Sequence, residues 1–219
     1  HRDSTINAVI LVGLILAALI PRIVLALQLD MVTDEVVYIL GGKIYLPLLR
    51  HLSIGASDWM YNYEHPPFVK VLMGLALAVN GLLGHPLGEL LAARVPSIIM
   101  GTLLVVAVYL LGCAPFGRII ALIAALCLAF SPWLVYFSAL AYLDMTMTAL
   151  VTIAFLLLWP AIQRPWLYLL AALCVGLGVA SKYTASLAIP GMVLFTAYYF
   201  LAIRPRMPEE LRPRVPWLW

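Results

Sequence analysis

Charge is what this chain has least of: of 219 residues, 11% are Asp, Glu, Lys or Arg, against 65% hydrophobic. A soluble domain carries about a quarter charged residues and is about half apolar, so an ordinary water-soluble globule is excluded. Cysteine is scarce too. Cys113, Cys127 and Cys174 sit within or at the edge of apolar runs, and their spacing fits no metal motif. They read as small buried hydrophobes. No basic run is interleaved with aromatics, which excludes nucleic acid as a partner. The apolar runs do not alternate with polar residues, which excludes barrel strands.

What is present is a series of apolar stretches of about 20 residues, the length a helix needs to cross a hydrocarbon layer of about 30 Å. Lipid offers the backbone no hydrogen-bond partners, so uninterrupted runs of this kind must be helices. The sequence therefore predicts an all-α integral membrane protein. The stretch from Ile6 to Leu27 exceeds the 7–15 residue core of a secretory signal and reads as a retained first helix.

Seven stretches are candidates: residues 6–27, 67–84, 91–111, 119–142, 145–161, 166–181 and 186–203. The net charge of +3 decides nothing, because a membrane protein sorts its charges by side. The connections do decide. If 67–84 spanned and the N-terminus lay inside, Arg118, Arg164, Arg204, Arg206, Arg212 and Arg214 would all lie outside, inverting the positive-inside rule. With 67–84 kept on the outer side, those arginines and Arg2 face the cytoplasm. Gly74, Asn80, Gly81, Gly84 and Lys70 make that stretch a poor span in any case, and Pro66 and Pro67 suit a helix start. The expectation is about six transmembrane helices with both termini cytoplasmic. Juxtamembrane helices near 34–52 and 66–84 fall in a long first external loop, and residues 204–219 form a cytoplasmic tail or linker.

This topology gathers polar residues on one face. Residues 28–90 hold Asp30, Asp34, Glu35, Lys43, Arg50, Asp58, Glu64, His65, Lys70 and Glu89, while Arg94, Asp144 and Lys182 stand at the outer membrane boundary. Charges at the edge of hydrocarbon are costly unless paired or used. In "TDEVVYILGGKIYLPLLRH", Thr33 can cap a helix with Asp34 and Glu35 in its first turn. Val36, Val37, Ile39 and Leu40 give that helix an apolar side, and Tyr38 shares a face with Asp34. A plain capped surface helix is the alternative. Arg94 reads either as a snorkelling anchor or as a site cation. Asp144, with no basic neighbour in sequence, needs a cation from elsewhere in the chain. Lys182 sits where one helix ends and another restarts. Pro132 should kink the 119–142 helix. Arg22, inside the first span, should face protein, and pairing with an external carboxylate is its simplest account.

"TDEVVY" after the first span, "YEHPPFVKVL", "ARVPS" opening a span, "YLDMTMTAL" and "GLGVASKYTA" occur in that order. Together they resemble the polyprenol-phosphate-sugar-dependent glycosyltransferases of the GT-C fold, with protein O-mannosyltransferases and lipid A aminoarabinose transferases as the nearest branches. The resemblance implies a GT-C-like transmembrane module over residues 1–203. It implies Asp34 as catalytic base with Glu35 in support, Asp144 as the aspartate of the second external loop, and Arg94, Lys182 and Tyr183 at the donor phosphate. Arg22, Tyr38, His65 and Lys70 support the site, and His65, Pro66 and Pro67 open a juxtamembrane helix. Glu64 matches a glutamate linked to a bound divalent metal ion in the aminoarabinose branch; Glu64 and His65 could instead cap a helix. Members of the family are usually much longer, so the expectation is an N-terminal module, active alone or not.

The residue types suit the chemistry. A carboxylate can take the acceptor hydroxyl's proton as it attacks the anomeric carbon. Cations in a partly dry site can stabilise the departing phosphate. Single displacement would invert the anomeric centre. The expected function is a membrane glycosyltransferase, in the plasma membrane with its site on the extracytoplasmic face. It would take a sugar from a polyprenyl-phosphate lipid to a hydroxyl on a protein, lipid or glycan acceptor. A catalytically inactive scaffold subunit among other membrane subunits is the alternative. A transporter would place carboxylates near mid-membrane, whereas these stand at one edge.

Overall fold

The computed structural model describes residues 2–208, and all of the elements there are helical. The first helix, α1 (Arg2–Gln28), is followed by α2 (Thr33–Arg50) and α3 (Phe68–Leu82). Then come α4 (Glu89–Phe116), α5 (Arg118–Ala129), α6 (Pro132–Ser138), α7 (Leu143–Ala161), α8 (Trp166–Ser181) and α9 (Ala188–Tyr198). Short turns flank α9 on both sides and carry the helical path from Tyr183 to Arg206.

Among the described residues four helices are long and apolar enough to cross a membrane: Asn7–Gln28, Glu89–Phe116, Leu143–Ala161 and Tyr183–Arg206. The pair α5–α6 makes a fifth if counted as one broken span, bent by 59°. Pro132 accounts for the break, because proline lacks the N–H that would continue the helix and its ring clashes with the turn before it. Helix α8 has 16 residues, about 24 Å at 1.5 Å per residue, short of the roughly 30 Å of a hydrocarbon layer. By length and composition alone the described residues thus hold four to five candidate spans, beside the expected count of about six. The chain is an integral membrane protein.

Helix α4 is the hub, packing against α1, α3, α5 and α7, while α7 and α8 form a closely packed pair. Small residues set these distances. Ala18 of α1, Ala121, Ala125 and Ala129 of α5, and Leu14, Val105 and Tyr109 are buried together. Membrane helices associate through such small side chains because lipid gives apolar surfaces no reason to leave it.

A second layer is α2 on α3. Helix α3 has 15 residues, a length of about 22 Å. Gly42 and Gly74 let the two backbones touch: a Cβ on Gly42 would lie 2.6 Å from the Lys70 carbonyl oxygen, and one on Gly74 would strike the Gly42 carbonyl. Thr33 does not cap α2 as expected. Val32 occupies the cap position, and its N–H donates to Glu35 Oε2 at 3.0 Å. The apolar side of α2 also divides: Ile39 is buried, whereas Val36 and Leu40 face outward.

Candidate functional site

The site is built around one buried ion pair. Arg94, near the start of α4, donates from Nε to Glu35 Oε1 at 2.8 Å and from Nη2 to Glu35 Oε2 at 2.7 Å, and neither side chain has any exposed surface. Its remaining donors go to the end of α1 and the turn after it, namely Ala26 O at 2.7 Å, Leu29 O at 2.9 Å and Asp30 O at 3.0 Å. A helix end leaves such carbonyls without intrahelical partners, and a guanidinium with five N–H groups is suited to collect them. Glu35 also accepts the Ala141 N–H at 2.7 Å. Burial alone would raise the Glu35 pKa. The Arg94 hydrogen bonds, the Ala141 and Val32 amides and the Arg94 charge outweigh it and hold the carboxyl below its usual range.

Arg94, expected at the donor phosphate, spends every N–H inside the protein. Glu35, expected in support of Asp34, is buried and fully engaged with Arg94, Val32 and Ala141.

Asp34 has the opposite fate. Its neighbour points into the core, so Asp34 is turned outward and exposed, near enough to Tyr142 for its charge to act on that phenol. The Tyr142 phenol is pushed up to about 12 by burial, then by the charge on Asp34 and by Tyr136. Tyr142, immediately before α7, is a residue that the sequence reading missed; an aromatic two positions before Asp144 was its only signal. Tyr38 is buried between Tyr142 and His65, with ring centroids 5.9 and 5.8 Å away and edge-on geometry. Its phenol is also pushed up to about 12, by burial first and then by the charges of Asp34 and Asp144, by Tyr142 and by Glu64. The charges of Asp34, Asp144 and Glu64, from three separate parts of the chain, thus all act on one phenol.

Asp144 lies in the first turn of α7, where the helix dipole favours negative charge. Lys182, at the end of α8, donates to its Oδ1 at 2.6 Å, and the pair is about one-third exposed. The cation that Asp144 needs is therefore Lys182. Beside them a cavity of about 190 Å³ is walled by Trp133, Leu134, Phe137, Met145 and Thr148. Tyr183, the neighbour of Lys182, is exposed.

The Glu64–His65 head is held from below by Lys70. Its Nζ donates to Asn62 O at 2.7 Å and His65 O at 2.8 Å, and lies 5.4 Å from the Tyr45 ring centroid. Burial lowers the Lys70 pKa to about 8, with Glu64 opposing the shift. Tyr45 stacks on Trp59 and donates to the Trp59 and Tyr61 carbonyls. Pro67 is the cap residue of α3, with no side-chain hydrogen bond, so neither Glu64 nor His65 caps that helix. Glu64 is exposed and accepts from Asn62 Nδ2 at 2.9 Å. Among the described residues no three His, Cys, Asp or Glu side chains gather into a metal centre.

Arg22, expected to pair with an external carboxylate, has no carboxylate partner among the described residues. Its Nη1 donates to Ala18 O at 2.7 Å and Ala129 O at 3.2 Å, and its Nη2 lies 3.5 Å from Leu128 O.

Residues 64–219, more than two thirds of the chain, match the family model described as dolichyl-phosphate-mannose-protein mannosyltransferase. The match begins at Glu64 and leaves out the segment with Asp34 and Glu35. No curated protein and no solved structure matches the chain.

Removing one member of a buried ion pair strands the other. Arg94→Met should therefore cost about 3–5 kcal/mol, read as a lowered thermal midpoint and lower yield of folded protein in detergent. A midpoint unchanged from the parent would show that the pair does not hold the fold.

Proposed function

The chain belongs to the dolichyl-phosphate-mannose-protein mannosyltransferase family, and from that premise we propose that it transfers a sugar from a polyprenyl-phosphate lipid to an acceptor hydroxyl on the extracytoplasmic side of the membrane. The observation that carries this reading is the partly exposed pair of Lys182 with Asp144, close in the chain to Tyr142, which packs on Tyr38, the phenol on which the charges of Asp34, Asp144 and Glu64 act. A scaffold role is not favoured by the family and gives no reason for a partly exposed ion pair of Lys182 with Asp144.

Asp34 is the base. Its carboxylate accepts the acceptor hydroxyl's proton while that oxygen bonds to the anomeric carbon. The bond from that carbon to the phosphate oxygen breaks in the same displacement, inverting the centre, and the polyprenyl phosphate leaves with the electron pair. Lys182 meets the growing negative charge at a half-buried position where an ammonium acts more strongly than in water. Asp144 holds Lys182 in place when no phosphate is bound. Tyr142 orients Asp34, and Lys70 fixes the loop that presents Glu64 and His65. Tyr183 flanks Lys182 at the mouth.

The helix directions support the outer side for the site. Helices α4 and α7 start at the site, with Arg94 and Asp144 near their first turns, and run away from it. Arg118 follows the far end of α4 and Arg164 the far end of α7. Cations collected on the face opposite the site favour the cytoplasm for that face and the outside for the site. In this arrangement the broken α5–α6 pair and the short α8 each complete a crossing. That gives six, with the N-terminus and the segment from Arg204 on the inner side. The plasma membrane is the compartment proposed.

Two experiments test this reading. In the natural chain, Asp34→Asn should lower sugar transfer from a polyprenyl-phosphate donor by about 10²–10⁴-fold while leaving the amount of folded protein unchanged. Unchanged transfer would remove Asp34 from the chemistry. In a cysteine-free background, Tyr183→Cys should react with a membrane-impermeant maleimide added outside intact cells. Reaction only after permeabilisation would put the site on the inner face.

A further inference from the structure

Arg22 stands apart from the charges that the proposed reaction uses. It lies inside the apolar helix α1 with no exposed surface, and its partners are main-chain carbonyls, two of them on another helix. Those two carbonyls belong to Leu128 and Ala129, at the point where α5 stops and the path bends by 59° into α6. In a continuous helix Leu128 O would accept from the N–H of residue 132, but residue 132 is proline and has none. A carbonyl left without a donor in a membrane interior costs several kcal/mol, because no water replaces the lost bond. The Arg22 guanidinium supplies the missing donors. Space is made for it: a Cβ on Gly101 of α4 would lie 2.8 Å from Arg22 Nε and would strike the Ser138 hydroxyl of α6.

The angle of the break bears directly on the site. Helix α6 is seven residues long and leads straight into residues 139–142, all buried except Tyr142. In that strap the Ala141 N–H donates to Glu35 and Tyr142 meets Asp34. Asp144 comes next, in the first turn of α7. A change in the angle between α5 and α6 would move all three residues together.

We infer that Arg22 is a positioning residue. It caps the carbonyls exposed at the α5–α6 break, fixes the angle of α6, and so sets where the 139–142 strap presents Ala141 and Tyr142 to the carboxylates of α2. What acts is hydrogen-bond donation and not charge, so a neutral donor of suitable length should substitute. The kinetic arm of the test rests on the transferase reading; the structural arm does not.

In the natural full-length chain without its native cysteines, spin labels at Ile123→Cys and Tyr136→Cys, both on exposed positions, report the α5–α6 geometry. The parent and Arg22→Gln should give the same narrow distance distribution, and Arg22→Met a shifted or broadened one. In sugar transfer, Arg22→Met should lose about tenfold or more in kcat with the donor KM within about twofold, while Arg22→Gln stays within about threefold of the parent. Arg22→Gln behaving like Arg22→Met in both readouts, or Arg22→Met leaving the distance unchanged, overturns the proposal. Should Arg22→Met fail to accumulate, thermal midpoints of Arg22→Gln decide, in the parent and in Pro132→Ala, where residue 132 regains an N–H. A smaller loss in the Pro132→Ala background supports capping, and equal losses overturn it. If the parent transfers no sugar, the functional reading falls, and the distances alone still decide the role of Arg22.

Discussion

The contact between Glu35 and Arg94 is the constraint on which the rest of the structure depends. It joins the end of α1, the first turn of α2, the start of α4 and the 139–142 strap through a single carboxylate and a single guanidinium. In a fully buried site, each partner would be costly alone, so neither can leave without the other. The contact also decides what its neighbour does. Successive residues on a helix point about 100° apart, and with Glu35 directed into the core, Asp34 is turned to the outer surface. One acidic residue of the pair becomes structure, which leaves the other available for chemistry.

A second pair, Lys182 with Asp144, is built differently. It is partly exposed and has few supporting bonds, so the cost of separating it is small. An arriving phosphate can compete for Lys182 in a way that it cannot for Arg94. In the proposed reaction the two ion pairs divide the labour between holding the fold and meeting a ligand, and burial is what distinguishes them. The loop before α3 shows the same economy. Lys70 reaches up from α3 to bind the carbonyls of Asn62 and His65, and the polar head rests on a cation that is itself out of reach.

Much of this was legible in the sequence, because charged residues in an apolar chain stand out and each demands a reason. Asp144 needed a cation from elsewhere, and Lys182 supplies it. Pro132 was expected to kink its helix, and the helix breaks there. The stretch after His65 looked too poor to span, and α3 is short. What could not be read was which partner a charge finds. Arg94 and Glu35 are far apart in sequence, and nothing local distinguishes an internal pair from a phosphate site. Arg22 was expected to meet a carboxylate because carboxylates are visible in a sequence, whereas carbonyls freed by a helix break are not. Tyr142 escaped notice for a related reason: a single tyrosine beside an apolar run looks like a membrane-interface aromatic until the fold brings Asp34 to it. The count of spans stayed open because α8 and the broken α5–α6 pair lie near or below the length that a crossing requires.

The central claim is that the exposed carboxylates and Lys182 form one lipid-facing reaction site organised by a closed internal ion pair. An experimental map of the protein with a polyprenyl-phosphate donor bound tests it most directly. The account requires the phosphate within hydrogen-bond reach of Lys182, the anomeric carbon facing Asp34, and Arg94 still bonded to Glu35 as in the empty protein. A phosphate seated on Arg94 with the pair to Glu35 broken, or lying at the end of the bundle that carries Arg118 and Arg164, would contradict it.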